Sequence, residues 1–163
     1  MTTLLSGTVQ QYQDRTVDYL AFDGAKPTGD TQLTQSLIQP GQTGALTTGI
    51  QKLVQRFLLE LLTEAGSLDY QANRGCFFIT QIRAGMVTTS SALFTAFNSA
   101  EVDVRNNMRN EDSFDDPDDE RLQRASLISA TLSGDTAFLN IRVLSVAGES
   151  REVIYPLRVS ALT

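Results

Sequence analysis

Seven carboxylates stand between positions 111 and 120: Glu111, Asp112, Asp115, Asp116, Asp118, Asp119 and Glu120, the densest concentration of ionisable side chains in the chain. Two chemistries use such a cluster. Calcium takes hard oxygen donors, which Asp112, Asp115, Asp116, Asp118 and Asp119 supply, but the alternate-position spacing closed by a glycine and a distal glutamate that wraps an EF-hand ion is missing. Glycoside cleavage takes a carboxylate pair, here Asp116 with Asp119, and needs one acid kept protonated by apolar surroundings that a polar loop does not offer. The plainer reading is a solvated loop that repels itself or meets a basic partner. Histidine is absent, which removes Ser–His and Cys–His nucleophile pairs and the commonest zinc ligand. Cys76 is the single thiol, and its neighbours Phe77 and Phe78 predict a buried apolar group rather than a thiolate nucleophile. The residues predict no catalytic site, no metal and no cofactor.

With no catalytic constellation to position, the order of elements carries the information. The chain has 163 residues, 41% of them hydrophobic, enough for one core without metals or disulfides. Residues 1–48 are polar, rich in threonine and glutamine, and interrupted by Gly24, Pro27, Gly29, Pro40, Gly41 and Gly44, which predicts an extended arm that orders on binding. Two short strands are expected within it, one around Val17, Tyr19 and Ala21 and one from Leu33 to Ile38, with a turn from Gly24 to Asp30 between them. Residues 49–163 read as the folded domain.

That domain opens on a helix. Thr47 or Thr48 can cap it, and Ile50, Leu53, Val54, Phe57, Leu58, Leu61 and Leu62 recur at helical spacing, while Gln51, Lys52, Gln55, Arg56 and Glu60 fill the other faces. Gly66 is placed to stop the helix. Cys76 to Arg83 is aromatic and β-branched and predicts a strand. A second helix, capped by Thr88, Thr89 or Ser90, carries a narrower stripe of Leu93, Ala96, Phe97, Ala100 and Val104, and Asn106 and Asn107 predict fraying before Glu111. Leu59 and Phe94 fall off their helices' stripes and are candidate subunit contacts. Beyond Arg121 alternation takes over: Leu127 and Ser129, a Ser133-Gly134-Asp135 turn, then Leu139, Ile141 and Val143, an Ala147-Gly148-Glu149 turn, and Val153, Tyr155, Leu157 and Val159. Three antiparallel strands with one apolar face follow. Pro156 cannot donate to a ladder, so its strand must present that position to an edge. The expected fold class is α+β, two helices packed on a mostly antiparallel sheet with an extended amino-terminal arm.

Charge points away from nucleic acid. The net charge is −6, and once the acidic segment is set aside the rest holds 13 basic against 12 acidic side chains, with no basic field or arginine–aromatic cluster. The amino-terminal MTTLLSGTVQQYQDRTV lacks a signal peptide's cationic start and apolar run, and no segment approaches the ~20 apolar residues that span a bilayer. A soluble intracellular product is expected.

The segment GIQKLVQRFLLELLTEAGSLDYQANRGCFFITQI, the helix after it and the terminal ERLQRASLISATLSGDTAFLNIRVLSVAGESREVIYPLRVSAL together resemble the baseplate wedge or sheath-initiator family of contractile phage tails, whose relatives occur in bacterial injection systems. The likeness spans roughly residues 30 to 160 and includes Gly29-Asp30 before the first helix, Leu61-Leu62-Thr63 at its end and Gly75 after a polar loop. Two family features depart: Ala65-Gly66-Ser67-Leu68 stands where Pro-Gly-Glu-Arg is frequent, and only Asp116-Pro117-Asp118, with Arg121 beyond, lies near the place of a Glu-Pro-Arg motif.

The resemblance implies a structural subunit of the virion baseplate, assembled in the host cytoplasm and present in six copies in a ring around the tail tube. Its partners would be baseplate wedge proteins, the tube and tail sheath subunits, with neither nucleic acid nor membrane. The expected acceptor of a sheath strand is the last sheet strand, Glu152, Val153, Ile154, Tyr155, Pro156, Leu157, Arg158 and Val159. Two other readings stand beside it, a baseplate-associated peptidoglycan hydrolase using the loop carboxylates and a plain intracellular adaptor.

Overall fold

The helical stripe beginning at Ile50 forms α1, Gly49–Leu62, and becomes the centre of the molecule. Leu53, Val54, Phe57, Leu58 and Leu61 are buried, each contributing about 1.5–3 kcal/mol by leaving water. The computed structural model describes residues 15–19, 22–24, 33–35, 46–71, 73–133 and 136–158. Within them the remaining elements are β1 (Asp18–Tyr19), β2 (Phe22–Gly24), β3 (Leu33–Gln35), β4 (Leu46–Thr47), α2 (Phe78–Arg83), α3 (Ser90–Glu111), β5 (Leu122–Ser133), β6 (Thr136–Ser145) and β7 (Ser150–Arg158).

The terminal sheet has the expected form. Its order is β5-β6-β7, antiparallel throughout, with Ser133 opposite Thr136 at the first turn and two irregularities in β5, after Leu122 and after Leu127. Gly134 and Asp135 of the predicted turn lie outside the described residues. Ala137, Leu139, Ile141 and Val143 of β6 point into the core with Val153 and Leu157 of β7. Helices pack on this face, α3 along β5 and α1 over β6 and β7, which makes the fold α+β.

Four local expectations are corrected. Residues 78–83 form α2 rather than a strand; only Cys76 keeps an extended contact, a single parallel bridge to Glu64. The reason is tertiary: Phe78 and Ile82, four apart, both face the core, and the Phe78 ring meets Phe97 edge-on at 6.0 Å, with Phe57 on Phe97 at 6.3 Å. Helix α3 runs to Glu111 instead of fraying, because Met108 extends the buried stripe and Asn107 donates from Nδ2 to Glu60 Oε1 and to the Gly75 carbonyl, both at 3.1 Å. Helix α1 ends before Gly66: Thr63, in extended conformation, gives both its N–H and its hydroxyl to the Leu59 carbonyl. Thr48 does not cap α1 with its own side chain. A distant carboxylate does that, as described below.

The polar faces of α1 are also buried. Lys52, Gln55 and Glu60 are 9%, 3% and 3% exposed, because Gln55 donates to Asp18 of the arm, Lys52 reaches Thr16, and Glu60 is held by α3 and Gly75. The arm folds back in two short antiparallel ladders, β1 with β4 and β2 with β3. Ala21, residues 25–30 and residues 36–38 of the expected arm strands and turn lie outside the described residues.

Candidate functional site

A three-stranded sheet has two outer margins, here on β5 and β7, and an open margin is a template for another strand. Helix α3 lies along β5, and Glu101 Oε1 accepts the Ala125 N–H at 3.1 Å, so part of the β5 margin is already satisfied from within. Glu101 is 8% exposed and falls on the apolar stripe of α3, four residues after Phe97 and three before Val104. A carboxylate on an apolar stripe is a readable signal, and sequence reasoning missed it.

The β7 margin is built differently. Val153 and Leu157 are buried opposite Ile141 and Ala137, and Tyr155, opposite Leu139, packs partly against the core, where burial raises its phenol pKa. Glu152 stands opposite Arg142 and binds it at 2.5 Å, Ile154 stands opposite Asn140, Pro156 opposite Phe138 and Arg158 opposite Thr136. Val159 lies outside the described residues. Antiparallel ladders direct successive residues alternately toward and away from the partner strand, and Pro156 costs β6 no bond only if its nitrogen points away. The same parity turns the N–H groups of Glu152 and Ile154 outward. Strand β3 of the arm approaches β7 within 8 Å between Cα atoms, yet it pairs with β2.

The two candidate subunit contacts separate. Leu59 is 44% exposed on α1, whereas Phe94 packs partly against the core from α3.

The acidic segment meets basic groups of its own chain. Glu111 binds Arg74 at 2.7 Å, Asp112 binds Arg56 at 3.1 Å, Asp118 binds Arg121 at 3.3 Å and Asp119 binds Arg15 at 2.7 Å. Glu120 is 1% exposed: one oxygen accepts from the Gly49 N–H at 2.9 Å and the Thr48 hydroxyl at 2.7 Å, and the other meets Lys52 Nζ at 2.5 Å. This carboxylate, 71 residues from Gly49, caps α1 at the positive end of its dipole. Burial pushes its pKa up, but the Lys52, Gly49 and Thr48 hydrogen bonds outweigh that and leave it below the ordinary range. The expected solvated loop is thus, at its carboxyl end, a clasp between arm, helix and sheet. Asp116 accepts the Ser113 N–H at 2.7 Å and Asp119 is ion-paired, so neither of this pair sits in apolar surroundings. Among the described residues no three acidic, cysteine or histidine side chains group as metal ligands, and no helix is long and apolar enough to cross a membrane.

Cys76 is 1% exposed, its thiol donating to the Leu61 carbonyl at 3.3 Å, and burial pushes its pKa up to about 11. Native protein at pH 8 should therefore react with iodoacetamide on the order of 100-fold more slowly than urea-unfolded protein, whose thiol has a pKa near 8.5. Equal rates by mass spectrometry would show Cys76 to be accessible.

No family model matches this chain, and neither does any curated protein or solved structure.

Proposed function

We propose that the protein is a structural baseplate subunit of a contractile tail that starts sheath assembly by accepting an extended strand from a sheath subunit along the outer margin of β7. The observation that carries this reading is the edge position of β7, which ends the sheet with Pro156 in its middle, whereas on β5 the outer N–H of Ala125 is already taken by Glu101. An incoming strand would satisfy the outward N–H and C=O groups near Glu152 and Ile154. Six such sites around a tail tube would act together, since each strand after the first adds at high local concentration. The resemblance to sheath initiators supplies the partners: sheath subunits, baseplate wedge proteins and the tube.

Ile154→Pro is the sharpest test. Position 154 has the parity of Pro156, so a second proline there removes an outward N–H without costing β6 a hydrogen bond. The variant should keep its circular dichroism spectrum while the yield of sheathed tails from isolated baseplates falls on the order of 100-fold, because avidity multiplies each lost contact. Normal sheath growth on a folded Ile154→Pro baseplate refutes the proposal.

A further inference from the structure

The amino-terminal arm returns to the sheet at β7. Strand β3 comes within 8 Å of β7 between Cα atoms, yet no ladder joins them: β3 pairs with β2, and the sheet β5-β6-β7 ends on β7. Helix α1 occupies the core face of β7, and strand layers stacked face to face lie about 10 Å apart, so a strand this near stands beside the margin rather than over the other face.

The two parts of this excursion are held unequally. At its root β1 pairs with β4, Asp18 opposite Thr47 and Tyr19 opposite Leu46, and the folded domain grips the same stretch: Arg15 donates to Asp119 at 2.7 Å, Lys52 to Thr16 and Gln55 to Asp18 at 2.9 Å. Beyond the root, β2 and β3 contribute three residues each. A two-stranded ladder that short is marginal in water, so it opens readily while the root stays in place. Covering an unpaired margin with a short segment is also how sheets avoid pairing with foreign strands.

We propose that the β2–β3 ladder is a displaceable guard of the β7 margin. Closed, it keeps other strands from the outward N–H groups of Glu152 and Ile154; an arriving strand pushes it aside, and the root keeps the arm attached. The guard regulates the strand-acceptor site and rests on that reading for its purpose, though not for its existence. Its consequence is timing. A bare margin would pair with a second copy of this chain before assembly, whereas a guarded one pairs where many incoming strands are held together at high local concentration, as on a ring.

The test uses the full-length ¹⁵N-labelled protein and a soluble gadolinium chelate, which speeds the relaxation of amide protons it can approach. Successive N–H groups of a strand alternate in direction, so Leu33→Pro/Thr34→Pro removes a ladder donor to β2 whichever way β3 faces. Relaxation by the chelate should rise severalfold at Glu152 and Ile154 in this variant and stay unchanged at Val153 and Tyr155, whose N–H groups face β6. Leu33→Gly/Thr34→Gly, which weakens the ladder without removing a donor, should give a smaller rise at the same two amides, and it keeps the test valid should the prolines disturb the sheet. Equal relaxation of Glu152 and Ile154 in wild type and the glycine variant overturns the guard, and so does a rise of the same size at Val153 and Tyr155. On isolated baseplates the proline variant should start sheaths faster than wild type. If the chelate finds the margin newly uncovered and no sheath strand adds there, strand addition fails and the guard stands. If sheath growth is blocked by Ile154→Pro but the chelate finds no difference, the guard fails and strand addition stands.

Discussion

Glu120→Ala should lower the unfolding free energy by about 3–5 kcal/mol, the cost of leaving a buried charge without its partner. Lys52 is only 11% exposed at its side chain and, among the described residues, would keep Thr16 alone as a hydrogen-bond partner of its ammonium. The Gly49 N–H and Thr48 hydroxyl would lose their acceptor in the same step, removing the cap of α1. Arg15, 3.9 Å from Glu120 Oε1, would keep Asp119, so the arm contact should loosen rather than vanish. Urea denaturation followed by far-ultraviolet circular dichroism measures the change. A loss under about 1 kcal/mol, typical of an exposed pair, would mean that water compensates this cluster. The double variant Lys52→Met/Glu120→Leu should recover much of the loss, because it removes both charges and their desolvation together.

Acidification probes the same carboxylate. Glu120 has a native pKa below its unfolded value of about 4.3, so native protein releases this proton more readily than unfolded protein. The stability it contributes is fully present above that unfolded value. It is lost as pH falls through the native pKa, where protonation breaks the Lys52 pair. The gap between the stability curves of wild type and Glu120→Gln should therefore be constant above the unfolded value of about 4.3 and narrow as pH falls below it, as linkage requires.

What could be read from the residues alone was whatever repeats at short range. The stripe of α1 and the alternation of β6 and β7 run along elements of nine residues or more, which identifies all three elements and the buried face of each. Helix α2 spans six residues, too few for a period to separate from β-propensity, and Phe78 adopts helix because its ring packs edge-on against Phe97. The polar side of α1 was opaque for another reason. Lys52, Gln55 and Glu60 find partners 68, 37 and 47 residues away, and no local pattern announces such pairings. Pro156 marked β7 as an edge, since a proline constrains its own hydrogen bonding wherever it stands. That Glu101 takes the Ala125 N–H of β5 needed its placement in space, a fact about packing between α3 and the sheet.

Gly75→Ala should cost about 2–5 kcal/mol, combining about 1–2 for a side chain in left-handed conformation with about 1–3 for overpacking. Gly75 has φ +83, and an added Cβ would lie 2.5 Å from the Thr63 carbonyl oxygen and 2.9 Å from its carbon, so backbone rather than a flexible side chain has to yield. That carbonyl accepts the Cys76 N–H at 3.0 Å, while Gly75 itself donates to Glu60 at 2.8 Å and accepts from Asn107 at 3.1 Å. Displacing it strains the tie between α1, the loop and the last turns of α3 at once. Gly66→Ala separates the two contributions, since Gly66 has φ +76 but nothing within 4 Å of its Cβ position, and it should lose only the conformational part, about 1–2 kcal/mol. Equal destabilisation of the two variants in urea would show that close approach at Gly75 contributes nothing. The larger loss at Gly75 should also loosen α3, the helix that places Glu101 over β5, and an uncovered β5 margin is a second strand template. Sedimentation of Gly75→Ala should then reveal self-association that Gly66→Ala does not show.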